Sequence, residues 1–213
     1  VLLTKNSDFI KVKNKNYSVG DEVKIPQYKG QILAAAASFI VVCGGISSYF
    51  VPAKYMSVDI NPSVMMTINI YNRVINTKPL NDDAEILLSK TDVSGMSVSE
   101  SMDELIKKSE EIGYLNEHNK DVIVEVVDGI GKIKLPDKNY GDVEVIIENA
   151  DKADLKNAKE MGVSIAKARA IAEYTKQNGG SIEENVHKLE NQSVKEIRRN
   201  LENKSEVKTE SKT

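Results

Sequence analysis

The sequence is poor in cysteine, in histidine and in net charge, and each shortage excludes a class of explanation. Cys43 is the only cysteine in 213 residues, so no disulfide can form within the chain. We interpret it as a small apolar residue rather than a redox or metal group. His118 and His187 lie far apart, outside any ligand-spaced cluster, and predict no metal site. The net charge of -3 indicates no class of partner, and stability must come from packing.

Phosphate-binding loops and internal repeats are also absent from the sequence. The run Gly129-Ile130-Gly131 is too short for a phosphate loop and no helix pattern follows it, so a hairpin turn is the better interpretation. We therefore expect that the protein binds no cofactor, does not contact nucleic acid directly and is not an enzyme that turns over a separate substrate.

One long uncharged run stands out, the 19 residues Ile32–Phe50. At about 1.5 Å per residue, a helix of this length spans nearly the hydrocarbon core of a bilayer. The alternatives are a buried core helix, which normally carries a polar stripe, and a cleaved signal peptide, whose apolar region is shorter. We expect a transmembrane helix over residues 30–52.

The distribution of lysine predicts the orientation of this span. Lys54 is the only lysine close to its C-terminal end, whereas the N-terminal side carries Lys11, Lys13, Lys15, Lys24 and Lys29. Because basic residues stay on the cytoplasmic side, we expect a single-pass protein of the cell membrane with its N-terminus in the cytoplasm and its C-terminus outside.

The segment before the span, residues 1–29, predicts two β-strands. FIKVK (9–13) and VGDEVKI (19–25) flank a turn at Asn14–Asn16. Two strands alone are marginal in water, so we expect a partial unit completed elsewhere; a basic juxtamembrane linker is the alternative. The lysines of KVKNKN suit an acidic partner, anionic headgroups or a solvated strand face equally well.

Residues 53–203 predict an α+β domain with helices gathered at its C-terminal end. Apolar alternation predicts strands at 55–60, 64–70 and 73–78 as an antiparallel meander, and at 121–127 and 142–148, with the run KIKL (132–135) able to pair beside them. Capping signals and helical periodicity predict helices at 82–90, 97–114, 151–159 and 164–177, and after Ser181 and Ser193. Residues 204–213 are predicted to be a solvated linker.

The dipeptide Asn61-Pro62 is the one place where the sequence indicates covalent chemistry. A proline nitrogen carries no hydrogen, so it cannot attack the asparagine side chain, and the reverse attack remains. The Asn61 amide nitrogen can add to its own backbone carbonyl and expel Pro62, provided the fold positions it and supports the developing charge. Asp59 and Ser63 are candidates for that support. Asn-Pro is also a common turn starter, and an ordinary turn is the alternative.

The order of these features resembles the RsgI family of transmembrane anti-sigma factors. The residues that carry the resemblance are LLTKNSDFIKVKNKN and VGDEVKI before the span, and YMSVDINPSVMMTIN, RVI and PLNDDAEILL after it. Farther on, MGVSIAKARAIAEY and SVKEIRRNLE resemble the end of that family's juxtamembrane domain. The resemblance covers nearly the whole chain.

The resemblance implies a function as well as a fold. In the family, the bond that matches Asn61-Pro62 is cut autocatalytically and the halves stay associated. Their separation exposes a membrane stub to an intramembrane protease, which releases the cytoplasmic segment with a SigI-type sigma factor. Small residues in the span would then weaken the helix for that protease, although they also permit close helix contact. Phe9, Lys11 and Lys13 are the expected sigma contacts.

The sequence also departs from the family's pattern. The family's cytoplasmic domain has strands before the position of Val1, many members carry a sensory module after the linker, and a turn that is usually Asn-x-Asp-Gly is Asn81-Asp82-Asp83-Ala84 here. The cytoplasmic segment is therefore expected to be partial. An uncleaved, membrane-tethered α+β binding scaffold is the alternative function.

Overall fold

The computed structural model describes residues 1–13, 15–24, 28–133, 135 and 140–210, with only the backbone described at 28–32 and 203–210. The chain divides into two compact units, Val1–Cys43 and Gly44–Thr213. The fold class is α+β, as predicted.

The first unit contains a small sheet whose pairing differs from the prediction. Strand β1 (Leu2–Leu3) pairs antiparallel with strand β2 (Phe9–Ile10). The predicted strand at 19–25 is wrong over residues 19–24, and residue 25 lies outside the described part. The Asp21 side chain accepts a hydrogen bond from the Ser18 backbone N–H, and Gly20 adopts a positive φ of 103°. Local turn formation therefore prevails over the apolar alternation.

The uncharged run forms helix α1 (Tyr28–Tyr49), in agreement with the predicted helix. Its apolar side chains are largely exposed: Phe39 and Ile40 are 69% exposed and Val41 is 74% exposed. Within the described part of the chain, no helix combines the length and the apolar character needed to cross a membrane. The side chains of residues 30–32, where the predicted span begins, lie outside that part.

A five-stranded sheet organises the second unit. Its strands are β3 (Lys54–Asp59), β4 (Ser63–Ile68), β5 (Val74–Pro79), β6 (Asp121–Val127) and β7 (Glu144–Asn149). Their order is β5-β4-β3-β6-β7, and every pair is antiparallel except β6 with β7. The antiparallel meander and the two later strands are confirmed. Residues 132, 133 and 135 of the KIKL run lie outside any strand.

The described part of the second unit also contains six helices: α2 (Asp82–Lys90), α3 (Val98–Ile112), α4 (Lys152–Met161), α5 (Ile165–Asn178), α6 (Ile182–Leu189) and α7 (Val194–Glu210). The predicted capping box of Ser97 with Glu100 opens α3, and Ser164 and Ser181 cap α5 and α6. The backbone of α7 stays helical to Glu210, into the segment predicted as a linker.

The sheet lies between two apolar layers, which explains why its central strands are hydrophobic on both faces. Met56 and Val58 of β3 pack into the cluster formed with α2 and α3. Met65 of β4 and Val127 of β6 point the other way, into the cluster formed with α4–α7. Successive side chains of a strand alternate between faces, so both layers draw on the same strands. Strand β3 therefore has a neighbour on each edge and a helical layer on each face.

Candidate functional site: the Asn61-Pro62 hairpin

The dipeptide Asn61-Pro62 lies at the tip of the β3–β4 hairpin. Asp59 and Ser63 form the last strand pair, so residues 60–62 are the connection. The Ile60 N–H donates to the Pro62 carbonyl oxygen at 2.8 Å, which closes the turn. Asn61 has a φ of 59°, a left-handed conformation that few residues other than glycine and asparagine tolerate. Ile60 and Pro62 are buried whereas Asn61 is exposed, so the bond after Asn61 is held on both sides.

Asp59 and Ser63 contact each other directly beneath the tip. The Ser63 hydroxyl donates to Asp59 Oδ1 at 2.5 Å. Burial raises the pKa of the Asp59 carboxyl to about 6, against the lowering effects of the Ser63 and Ser164 hydroxyls and of the positive charge of Lys167. The other carboxylate oxygen, Asp59 Oδ2, accepts no hydrogen bond from the described residues. The Asp59 carboxyl is therefore a poorly solvated acid at the base of the hairpin, with the Ser63 hydroxyl hydrogen-bonded to it.

Two further asparagines hold the hairpin, and sequence reasoning assigned a role to neither. Asn81 Oδ1 accepts from the Ser63 N–H at 3.1 Å and from the Ala84 N–H at 3.0 Å, while its Nδ2 donates to Asn61 Oδ1 at 3.4 Å. Asn119 Nδ2 donates to the Ile60 carbonyl oxygen at 3.0 Å. An asparagine directly before a predicted helix is a signal that could have identified Asn81 as its N-cap. No local pattern marks Asn119, which lies 59 residues from its partner.

A small cleft of about 70 Å³ opens beside the hairpin. It is lined by the hairpin, by the N-cap of α2, by the loop that enters β6, and by the first turns of α5 and α7. Lys167 reaches the carbonyl oxygen of Glu190, and Lys195 forms an ion pair with Asp121, so both lysines are engaged at the wall of the cleft. The volume suits water or a small ion rather than a large ligand.

Behind the cleft, carboxylates and arginines fill the interface between the sheet and the C-terminal helices. Glu125 is fully buried, accepts from the Ser57 hydroxyl at 3.0 Å and lies 3.9 Å from Arg169. Burial, followed by the nearby Asp59 charge, raises the pKa of Glu125 to about 7. Arg198 binds both oxygens of Glu148 at 2.7 and 3.0 Å, which lowers the pKa of that carboxyl. This layer attaches α5 and α7 to β6 and β7.

The predicted sigma contacts lie in the first unit. Phe9 belongs to β2, and Phe9, Lys11 and Lys13 are all exposed. No group of three His, Cys, Asp or Glu side chains among the described residues is arranged to hold a metal ion.

Comparison with known proteins decides the family. Residues 53–173 match the family described as "Anti-sigma factor RsgI-like central domain". The chain belongs to the RsgI family. Anti-sigma-I factor RsgI7 of Acetivibrio thermocellus is 27% identical to it, over 93% of this chain and 42% of that protein. Anti-sigma-I factor RsgI6 of the same organism is 29% identical over 56% of the chain and 15% of the relative. Anti-sigma-I factor RsgI of Bacillus subtilis is 28% identical over 59% of the chain and 39% of the relative.

The chain thus spans well under half the length of these curated relatives. The matched RsgI region contains the whole sheet, the Asn61-Pro62 hairpin and both supporting asparagines. Helices α6 and α7 lie beyond it, so the contribution of Lys195 to the cleft falls outside the region that the family description covers.

Proposed function

We propose that this RsgI family member is a transmembrane anti-sigma factor that cuts itself between Asn61 and Pro62. The N-terminal segment holds a SigI-type sigma factor in the cytoplasm, and the second unit lies outside the cell. When the two halves separate, an intramembrane protease cuts the remaining stub and releases the sigma factor. The observation that carries the proposal is the left-handed Asn61 directly before Pro62, at the tip of a hairpin. Each product would keep one strand of this hairpin, and the two strands are paired.

Helix α1 supports the membrane part of the proposal. No charged residue interrupts Ile32–Phe50, and Phe39, Ile40 and Val41 expose apolar surface that water solvates poorly. A lipid environment would cover these side chains.

The proposed reaction needs no outside nucleophile. Asn61 Nδ2 attacks the Asn61 carbonyl carbon and loses a proton, the bond to the Pro62 nitrogen breaks, and that nitrogen leaves as a protonated secondary amine. The N-terminal product ends in a succinimide, which water later opens. Proline blocks the competing attack because its nitrogen has no hydrogen.

The hairpin favours this reaction through strain and restraint. A left-handed conformation costs an L-residue about 1–2 kcal/mol, less for asparagine than for most residues, and cutting after Asn61 releases that cost. Buried Ile60 and Pro62 prevent the turn from relaxing in another way. The Asp59–Ser63 pair lies beside the leaving proline and can support the proton transfer.

The position of β3 explains how the halves remain together after cleavage. All six residues of β3 pair with β4, and five of them also pair with β6. Met56 and Val58 are fully buried, and such side chains contribute about 1.5–3 kcal/mol each. The N-terminal product thus retains a strand in the centre of a sheet made by the other product. Only partial unfolding of the second unit would free it.

A denaturing gel and intact-mass spectrometry of the full chain test the proposal. We expect two fragments, residues 1–61 and 62–213, that migrate together under native conditions. Before the succinimide opens, the first should be one water lighter than the hydrolysed peptide. Asn61→Ala should give a single intact chain, because it removes the attacking nitrogen.

Membrane fractions carry the same test further. The fragment 1–61 should stay in the pellet after a urea wash, whereas 62–213 should enter the supernatant. A folded wild-type chain that remains whole would contradict self-cleavage and support the uncleaved scaffold instead. Loss of 1–61 from the pellet would contradict the membrane anchor.

A further inference from the structure

The amide of Asn119 joins the cleavage hairpin to the loop after α3. Its Nδ2 donates to the carbonyl oxygens of Ile60 at 3.0 Å and Tyr114 at 2.9 Å. The loop fixes this side chain in turn, because the Asn119 N–H donates to Asn116 Oδ1 and the Asn119 carbonyl accepts from the Asn116 N–H. A preorganised donor thus restrains the peptide group that immediately precedes Asn61.

The amide of Asn81 restrains the reacting side chain itself. Its oxygen faces the N–H groups of Ser63 and Ala84, so its nitrogen must face Asn61. That nitrogen donates to Asn61 Oδ1 at 3.4 Å, which directs the Asn61 amide nitrogen away from Asn81. When Asn61 Nδ2 loses its proton during attack, negative charge spreads onto Oδ1, where Asn81 supplies a donor.

We propose that Asn81 and Asn119 are positioning residues for self-cleavage at Asn61-Pro62, an inference that rests on the proposed function. Asn119 holds the backbone before the reacting residue, and Asn81 orients its carboxamide and stabilises the charge that develops on Oδ1. Each also has a structural task, as a helix cap or a loop contact, so a useful variant must keep that task and remove only the donor.

Asn81→Asp meets this requirement. Aspartate is as good an N-cap as asparagine, so the bonds from Ser63 and Ala84 persist while the donor to Asn61 is lost. The full chain is made by cell-free synthesis in a non-ionic detergent, and cleavage is followed from the uncut chain on denaturing gels. We expect cleavage at pH 8 to slow by about 10- to 100-fold relative to wild type.

Lowering the pH then separates positioning from structure. A protonated carboxyl carries an O–H that can replace the lost donor, so the ratio of variant to wild-type rate should rise several-fold toward pH 4. Asp59, Asp121, Lys167 and Lys195 also line the cleft, but they are common to both chains and their titration largely cancels in the ratio. A purely structural role predicts a ratio that does not change with pH.

Asn119→Asp should also slow cleavage at pH 8, although it removes the donor to the Tyr114 carbonyl oxygen as well. Asn76→Asp is the matched control, because Asn76 is an exposed asparagine of β5 that does not line the cleft. The control should cut at the wild-type rate, and circular dichroism should show all variants folded.

The outcomes distinguish this inference from the function on which it rests. If wild type is cut and both variants keep its rate, or if Asn76→Asp slows cleavage equally, positioning by these amides is refuted. A variant that unfolds is replaced by Asn81→Ser, which keeps a cap oxygen and should also cut slowly; a wild-type rate there overturns the role of Asn81. If wild type stays whole, the proposed function fails, and this inference with it.

Discussion

Replacing the buried carboxyl of Glu125 with an amide should stabilise the second unit, and only above acidic pH. Glu125 is fully buried between the sheet and the C-terminal helices, and its Oε1 accepts no hydrogen bond from the described residues. Glu125→Gln keeps the size and an oxygen for the Ser57 hydroxyl. The loss is a weak contact with Arg169 at 3.9 Å. The gain is relief from holding a negative charge in a poorly solvated position.

The magnitude follows from the pKa of Glu125, which burial raises from 4.5 to about 7. Because the folded state binds the proton more tightly than the unfolded chain, this carboxyl costs nothing below about pH 4, where both states are protonated. The cost grows as the pH rises from about 4.5 and levels off above about 7, where the carboxyl is charged in both states. A shift of this size corresponds to about 3 kcal/mol at pH 8. The substitution should therefore raise the free energy of unfolding by about 3 kcal/mol at pH 8 and hardly at all at pH 4.

Urea unfolding followed by circular dichroism at pH 4, 6 and 8 measures this effect. The measurement uses the Asn61→Ala background, in which the proposed cut cannot occur, and a non-ionic detergent keeps the chain in solution. Glu144→Gln on β7 is the control, since this glutamate is exposed and should change stability by less than about 0.5 kcal/mol. A stabilisation that is equal at pH 4 and pH 8, or a loss at pH 8, would refute the reasoning.

Two further predictions concern packing and capping, and both are measured by urea unfolding in the same background. Leu87→Ala should lower the free energy of unfolding by about 2–5 kcal/mol, because it leaves a cavity in the core. Ile86 is next to it but 45% exposed, so Ile86→Ala should lower the free energy of unfolding far less. Equal losses for the two variants would contradict the packing. Ser97→Ala should lower the free energy of unfolding by about 1 kcal/mol, because it breaks the capping box of α3. Ser99→Ala, within the same helix, should not have this effect. A Ser97→Ala variant as stable as the parent chain would contradict the role of Ser97 as a cap.

Local patterns in the sequence determined most of the secondary structure of the second unit. Alternation in YMSVDI and DVIVEVV reports the pleat of a strand directly, and Ser97, Ser164 and Ser181 begin helices because their hydroxyls accept bonds that free backbone N–H groups require. The Asn61-Pro62 turn was also visible, since proline interrupts a strand at that residue. These effects act over a few residues, so sequence alone reveals them.

The same local reasoning failed where turn chemistry competed with alternation. VGDEVKI alternates as a strand does, yet Ser18, Gly20 and Asp21 close a turn at its start. Lys54 was counted as a basic residue flanking the span. The structure buries it at the start of β3, where its ammonium donates to Asn72 Oδ1 at 2.7 Å.

Only the tertiary structure decided which groups surround Asn61. Asn119 reaches the hairpin because β6 pairs with β3, and sequence separation contains no information on that pairing. Burial raises the pKa values of Asp59 and Glu125, because the C-terminal helices cover the sheet and exclude water. These shifts therefore depend on the packing of the helices against the sheet. Strand order and solvent exclusion arise from contacts between distant segments. The sequence therefore located the bond that we propose is cut, and the packing of those segments supplied its environment.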